Sequence, residues 1–241
     1  MDRVRIGAIG TGSIFHGWGG GSGHLHAYRN VQEAQVVALC DTDEARLRRA
    51  EAALKAGFEE EAVRADATGD IERARDLRSD AKEVRTYTTP ADMFRAARLD
   101  LVDIITPPKT HAPLSVKALN EGVNVLCQKP MTRHWLECLP VLEAVEESGK
   151  LFGCAENLIY ESPWYDAKKV LDSGVIGEPL LLFISFGVRE ALPIRWNPGM
   201  SGGGALLDMG IHAMVASWFI CGFEQKLTWA KATDPVGIAI R

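Results

Sequence analysis

Short apolar runs that alternate with helical segments constrain the fold of this chain more than any other feature. Their Val, Ile, Leu and Ala content predicts buried strands at residues 4–9, 36–40, 101–105, 123–128 and 151–155. Helix signals lie between successive runs, and this alternation predicts an α/β fold with a parallel sheet and right-handed crossovers. The composition changes after residue 157, where we expect a second domain.

Lys129 stands where the fourth of these runs ends. Pro130 cannot donate a ladder hydrogen bond, so the strand stops there and the lysine is expected at the carboxyl edge of the sheet. Ligands of open α/β sheets bind at this edge. Thr106, Pro107 and His111 follow the third run and are expected at the same edge. His111 either contacts a cofactor or caps the next helix.

A glycine turn follows the first run. Gly10 and Gly12 form the G-x-G of a dinucleotide-binding turn, in which the second glycine lets the backbone approach a pyrophosphate. A plain glycine turn is the alternative, because the third glycine position is Phe15, which is too bulky for close packing of a helix on a strand. Residues 17–23 form a glycine-rich insertion that is either a lid over a cofactor or a surface loop.

Asp41 ends the second run, where an acidic side chain accepts hydrogen bonds from ribose hydroxyls and repels a 2′-phosphate. This position favours NAD over NADP. Alternatively, Asp41 or Thr42 caps a helix over residues 43–56 that Gly57 ends. A charged helical insertion is predicted over residues 58–82.

Asp208 and His212 form a second constellation near the end of the chain. On one continuous helix they are at positions i and i+4, on the same face, where the carboxylate can fix the tautomer of the imidazole. The pair is either catalytic or incidental.

The composition narrows the class of protein. With 46% hydrophobic and 24% charged residues, the 241-residue chain is typical of a globular protein, and its net charge of −5 argues against a nucleic-acid surface. Five scattered cysteines predict buried free thiols in a reducing compartment. Because the chain enters a strand at Val4, we expect no signal peptide. Because no apolar run is long enough to cross a bilayer, we expect no membrane span. We therefore expect a cytoplasmic protein without a membrane partner, a nucleic-acid partner or a bound metal.

These segments together resemble the Gfo/Idh/MocA family of NAD(P)-dependent oxidoreductases. The matching pieces span nearly the whole chain and are residues 10–12 with His24, Asp41, residues 106–108 with His111, and residues 127–130, 174–178 and 202–212. The resemblance implies a Rossmann dinucleotide-binding domain over residues 1–156. It also implies an α/β domain with an open sheet over residues 157–241, through which the chain would form a homo-oligomer.

The resemblance implies a site as well. Lys129, Asp208 and His212 match the family's catalytic residues, with His212 as the base for a hydroxyl proton and Lys129 stabilising the alkoxide. The implied reaction is hydride transfer between NAD and a CH–OH group of a sugar, polyol or cyclic alcohol. The implied cofactor-binding residues are Gly10, Gly12, Ser13, Ile14, Asp41, Thr106, Pro107, His111, Gln128 and Lys129. Tyr160, Arg195 and Trp196 are candidates to line the substrate pocket.

Two features depart from the family pattern. Gln128 stands where most members have a glutamate, which removes a negative charge beside Lys129. Family members normally continue for several strands beyond Arg241, so we expect a narrow second sheet, with strands at 180–188 and 226–233, that another chain covers, or a truncated product or fragment. NAD-dependent glycoside hydrolysis and non-catalytic binding of a dinucleotide or sugar are the alternative functions.

Overall fold

The computed structural model describes residues 3–17, 23–185, 197, 202–224, 226, 228, 230 and 231. The chain divides into two compact units. The first comprises Met1–Glu156 and Val188–Asp208, and the second comprises Asn157–Gly187 and Met209–Arg241.

Strands and helices alternate along the first unit. The strands are β1 (Val4–Ile9), β2 (Ala34–Cys40), β3 (Arg85–Tyr87), β4 (Leu101–Ile104), β5 (Asn124–Gln128) and β6 (Phe152–Ala155). The helices are α1 (Ser13–His16), α2 (His24–Asn30), α3 (Glu44–Thr68), α4 (Ile71–Glu83), α5 (Pro90–Ala96), α6 (His111–Asn120) and α7 (Leu139–Ser148). A further short helix, Gly204–Asp208, lies in the later stretch of the chain that belongs to this unit. Single turns of 3₁₀ helix occupy Pro108–Thr110 and Trp135–Glu137.

The six strands pair in parallel in the order β3-β2-β1-β4-β5-β6. This is the doubly wound order of a Rossmann sheet, so the predicted α/β class is confirmed. The order reverses between β1 and β4, which opens a crevice at the carboxyl ends of these two strands.

Apolar side chains cover both faces of the sheet. Leu39, Leu54 and Phe58 belong to the cluster under α3 and α4, while Ile104 and Leu119 belong to the cluster under α6 and α7. All five side chains are at most 2% exposed. Burial on both faces explains why the strands are continuous apolar runs rather than alternating ones.

Gly57 does not end the helix after β2, so that prediction is wrong. Helix α3 passes through Gly57 and ends at Gly69, which adopts the left-handed conformation of a C-cap. The apolar stripe continues across the glycine, from Leu54 to Phe58, and a Cβ at position 57 would lie 2.4 Å from the Arg29 guanidinium. Gly57 therefore makes room for Arg29 within a continuous helix. The second half of α3 and most of α4 make up residues 58–82.

The regular secondary structure described in the second unit is helical. A 3₁₀ turn over Leu158–Tyr160 precedes α8 (Ser162–Asp172), and the helix Gly210–Cys221 packs on both. The strand predicted at 180–188 is not formed over residues 180–185, where Leu180 is 99% exposed, because no described strand of this unit pairs with it. Residues 186–188 and most of 226–233 lie outside the described residues.

The cysteines are all free, but only part of the prediction of buried thiols holds. Cys40 and Cys127 are buried, whereas Cys154 and Cys221 are exposed. Burial raises the pKa of Cys40 to about 12. Among the described residues, no helix has both the length and the apolar composition needed to cross a lipid bilayer.

Candidate functional site

The carboxyl edge of the sheet gathers most of the predicted cofactor residues. Gly10 and Gly12 follow β1, Asp41 follows β2, Thr106 follows β4, and Gln128 ends β5. These strands are neighbours in the sheet, so the residues share one edge although more than a hundred positions separate the first from the last. The topology therefore brings them to the crevice where ligands of such sheets bind.

The glycine turn has the geometry of a nucleotide-binding turn. Gly10 adopts φ +95°, and a Cβ there would lie 2.5 Å from the Ile105 carbonyl oxygen, so only glycine fits. Gly12 is the N-cap of α1, and a Cβ there would meet no described atom within 4 Å. The space beside Gly12 at the start of α1 is therefore open.

Gly23 lies against the end of α1, a close approach that the sequence analysis missed. A Cβ at Gly23 would lie 2.2 Å from the Gly17 backbone nitrogen and 2.5 Å from the Phe15 carbonyl oxygen. The two ends of the glycine-rich insertion therefore touch, and residues 18–22 between them lie outside the described residues. Phe15 is fully buried in the core instead of making the close approach expected of a third glycine.

Asp41 joins the glycine turn to the end of β2. Its Oδ2 accepts hydrogen bonds from the Thr11 backbone N–H at 2.8 Å and from the Thr11 hydroxyl at 3.0 Å. Its Oδ1 accepts from the Asp43 N–H at 2.9 Å. The cap of α3 is Asp43, which accepts from the N–H groups of Ala45 and Arg46, so the alternative of a cap by Asp41 or Thr42 is wrong.

His111 lies behind the edge and connects two of its loops. The ring is fully buried, with Nδ1 2.8 Å from the Pro130 carbonyl oxygen and Nε2 2.7 Å from the Thr106 carbonyl oxygen. A neutral imidazole donates one N–H, so at any moment one of the two carbonyls accepts from it. The side chain thus holds the loop after β4 against the loop after β5. Pro107 lies between Thr106 and the 3₁₀ turn, and no cap hydrogen bond of α6 comes from a side chain.

Burial lowers the pKa of His111 below its ordinary value of 6.5, and its two carbonyl contacts only partly oppose this effect. The unfolded chain therefore binds a proton that the folded chain rejects, and we expect stability to fall as the pH drops below 6.5. When the pH is lowered from about 7.5 to about 5.5, the Tm of His111→Gln should fall by less than the Tm of the parent. The variant should nevertheless be less stable than the parent at both pH values. Equal losses in the two proteins would contradict this prediction.

Lys129 is held at its tip by Asp208, which is 79 positions away in the chain. The ammonium donates to the Asp208 carboxylate Oδ1 at 2.7 Å and to the Asp208 carbonyl oxygen at 2.7 Å. The two side chains are 16% and 21% exposed, so the pair is largely shielded from solvent. Both residues belong to the first unit.

His212 belongs to the second unit and is 8% exposed. The prediction that it shares one helix with Asp208 is wrong: the helix Gly204–Asp208 ends before Met209, and His212 lies in the first turn of the helix Gly210–Cys221. The i, i+4 geometry of a continuous helix therefore does not apply.

Of the three candidate substrate residues, the structure describes Tyr160. Tyr160 lies in the 3₁₀ turn of the second unit and is 81% exposed. Arg195 and Trp196 lie outside the described residues. In the part of the chain that the structure describes, no group of three or more His, Cys, Asp or Glu side chains could hold a metal ion.

Two protein-family models match this chain. Residues 4–156 match the model of an oxidoreductase family with an NAD-binding Rossmann fold, GFO_IDH_MocA. Residues 164–236 match the model of the GFO/IDH/MocA C-terminal domain.

Individual relatives agree with this match. The chain is 30% identical over 220 residues to D-apiose dehydrogenase of Paraburkholderia graminis, an alignment that covers 90% of this chain and 50% of that protein. It is 26% identical over 224 residues to inositol 2-dehydrogenase 4 of Saccharopolyspora erythraea, with coverage of 92% and 55%. The chain thus spans about half the length of these curated relatives.

The fold is also that of solved structures. The crystal structure of myo-inositol 2-dehydrogenase from Lactobacillus plantarum matches with a TM-score of 0.64 at 20% identity, over 91% of this chain and 56% of that one.

Proposed function

Because this chain belongs to the Gfo/Idh/MocA family of oxidoreductases with an NAD-binding Rossmann fold, we propose that it oxidises a CH–OH group of a sugar, polyol or cyclic alcohol with NAD. The observation that carries the proposal is the Lys129 ammonium, fixed by Asp208 at the carboxyl edge of the sheet. Relatives that are named for apiose and inositol support a polyhydroxylated substrate.

Lys129 has the donors that the reaction needs. An ammonium carries three N–H groups. Asp208 accepts from two of them, and among the described contacts the third N–H is left for the alcohol oxygen. As the hydroxyl proton leaves, the positive charge of Lys129 stabilises the alkoxide that forms, and Asp208 keeps the ammonium in place. NAD, when bound, supplies the acceptor for the hydride.

His212 is the proposed base. Imidazole is the side chain that most often serves as a general base in enzymes, and His212 is proposed to take the hydroxyl proton. Its burial supports a role other than a solvated surface side chain.

Asp41 is the proposed selector of NAD. A carboxylate has about four acceptor positions, and Thr11 and Asp43 occupy three of them. One remains for a ribose hydroxyl, whereas a 2′-phosphate would meet the negative charge directly. Asp41 does not itself line the cavity of about 370 Å³ whose lining includes Tyr87. The Asp41 N–H donates to the Tyr87 carbonyl, which ties Asp41 to that cavity.

Asp41→Ala is therefore expected to reduce the preference for NAD over NADP by about 10- to 100-fold, the range for one hydrogen bond to a charged group. The preference is measured as the ratio of kcat/KM for the two cofactors. Thr11→Val is the matched control, because it removes the hydroxyl bonded to Asp41 but keeps the carboxylate. A ratio that stays at the parent value in Asp41→Ala would contradict this assignment.

The proposed activity is tested by incubating the chain with NAD and a panel of aldoses and cyclitols and measuring the absorbance of NADH. The proposal expects NADH to accumulate in proportion to the ketone or lactone formed. Glycoside cleavage without net NADH would indicate a hydrolase instead. Binding of NAD without turnover of any member of the panel would overturn the proposal.

A further inference from the structure

Asp103 is a carboxylate buried inside the first unit. It lies in β4 with no exposed surface, and its Oδ2 is 2.5 Å from His24 Nδ1. The Tyr28 hydroxyl donates to the same oxygen. A carboxylate removed from water is costly unless hydrogen bonds replace its hydration. Two side chains of α2 supply these bonds, so they anchor α2 to the sheet.

The direction of these hydrogen bonds follows from the chemistry of the partners. Burial, and then the charge of Asp103, raises the pKa of Tyr28 well above its ordinary value, so the hydroxyl keeps its proton and donates. The Asp103 carboxylate can only accept. His24 therefore holds a proton on Nδ1, and in the neutral ring Nε2 carries a lone pair.

The other side of the His24 ring faces Gln128. The Gln128 amide nitrogen lies 2.7 Å from His24 Nε2, which accepts from it. Gln128 is the last residue of β5, and Lys129 follows it directly. A chain of hydrogen bonds thus runs from Asp103, inside the sheet, to the residue before the lysine.

We propose, on the basis of the proposed function, that His24 is a positioning residue that orients Gln128 and thereby fixes the backbone from which Lys129 projects. Lys129 is then held twice: at its base through Gln128 and His24, and at its tip by Asp208. The first contact acts on the residue next to Lys129 in the backbone, and the second acts on the ammonium itself.

Gln128 suits this task better than a glutamate. A carboxylate cannot donate to the bare Nε2, so it would require a proton on that nitrogen and a positive charge on the ring. The amide donates and leaves the ring neutral. With Gln128, the network keeps His24 in one tautomer without adding a second carboxylate beside Lys129.

Nuclear magnetic resonance tests the network directly. In the nitrogen-15-labelled protein, His24 is expected to show a protonated Nδ1 and a bare Nε2, and Asp103→Asn should abolish this preference. The carbon-13 shift of Lys129 Cε, assigned with Lys129→Met, should change in His24→Asn, which retains a donor near Nδ1 but cannot reach Gln128. Gln128→Met, which removes the same contact from the other side, should change it as well.

Kinetics test the consequence for the reaction. His24→Asn and Gln128→Met are each expected to lower kcat by about tenfold, as for a catalytic group displaced by a fraction of an ångström. The KM for NAD should stay unchanged in His24→Asn, because His24 is not among the implied cofactor-binding residues. The double variant should lose no more than either single variant, because both break one contact. His26→Asn is the matched control, since His26 is exposed on the same helix and bonds only within it, to Asn30, among the described contacts.

The outcomes separate this proposal from the proposed function. An unchanged Lys129 Cε shift in both His24→Asn and Gln128→Met, or additive losses of kcat, would overturn the positioning role even if the enzyme is active. A parent chain that oxidises no alcohol would overturn the proposed function, and the Lys129 shift would still decide whether His24 positions the lysine.

Discussion

Lys129→Met is expected to lower kcat for NAD-dependent alcohol oxidation by about 10²- to 10³-fold, the loss typical when one donor to a developing oxyanion is removed. Methionine keeps an unbranched chain of similar length but donates no hydrogen bond and carries no charge. The Asp208 carboxylate, which is 21% exposed, would also lose its ion pair with Lys129. The measurement is steady-state NADH formation at saturating NAD and substrate.

The effect should be specific to the chemical step. NAD binding, measured as the rise in Tm when NAD is added to the chain, should change little. The reason is that Lys129 is proposed to act on the alcohol oxygen. Lys117→Met is the control, since Lys117 pairs with Glu121 on the outer face of α6. If Lys129→Met retained the parent kcat while folding normally, the ammonium would have no part in the reaction.

His212→Asn is expected to lower kcat/KM by about 10²- to 10⁴-fold at neutral pH, the range for loss of a general base. A base must be unprotonated to accept the hydroxyl proton. In the parent, kcat/KM should therefore fall as the pH drops through the ionisation of the imidazole, and the variant should lack this limb of the profile. The pH profile distinguishes a base from a residue that only packs.

His134→Gln is the matched control for His212→Asn. His134 has a side chain that is 57% exposed and lies beside Glu137 at a 3₁₀ turn of the first unit. Its replacement should leave both kcat/KM and the pH profile unchanged. If His212→Asn kept the pH profile of the parent, the general base would be a group other than His212.

Local patterns were sufficient to predict five of the six strands of the first unit. The five apolar runs became five strands, because burial on both faces demands an unbroken series of apolar side chains whatever the partners are. Gly10 was predictable for the same kind of reason, since its positive φ and its close contact with Ile105 admit no side chain. In contrast, β3 spans only Arg85–Tyr87, too few residues to produce a period.

The wrong predictions lie where contacts with residues elsewhere in the chain outweigh a local sequence signal. Gly57 carries the usual signal for the end of a helix, but the apolar stripe of α3 runs past it and Arg29 fills the space beside it. The apolar residues 180–185 fit a strand by composition, yet a strand also needs a partner for its backbone, and the described residues offer none.

The sequence by itself determined the alternation of strands and helices, the glycine turn and the position of Lys129 at a strand end, because each depends on residues next to one another. Only the tertiary structure decided that Asp208 holds Lys129 across 79 positions and that Asp103 reaches His24 across a similar distance. Periodicity indicates which face of an element is buried, but not which polar group of another element contacts it. Those contacts depend on the order of the strands in the sheet and on where the chain returns to the edge of the sheet.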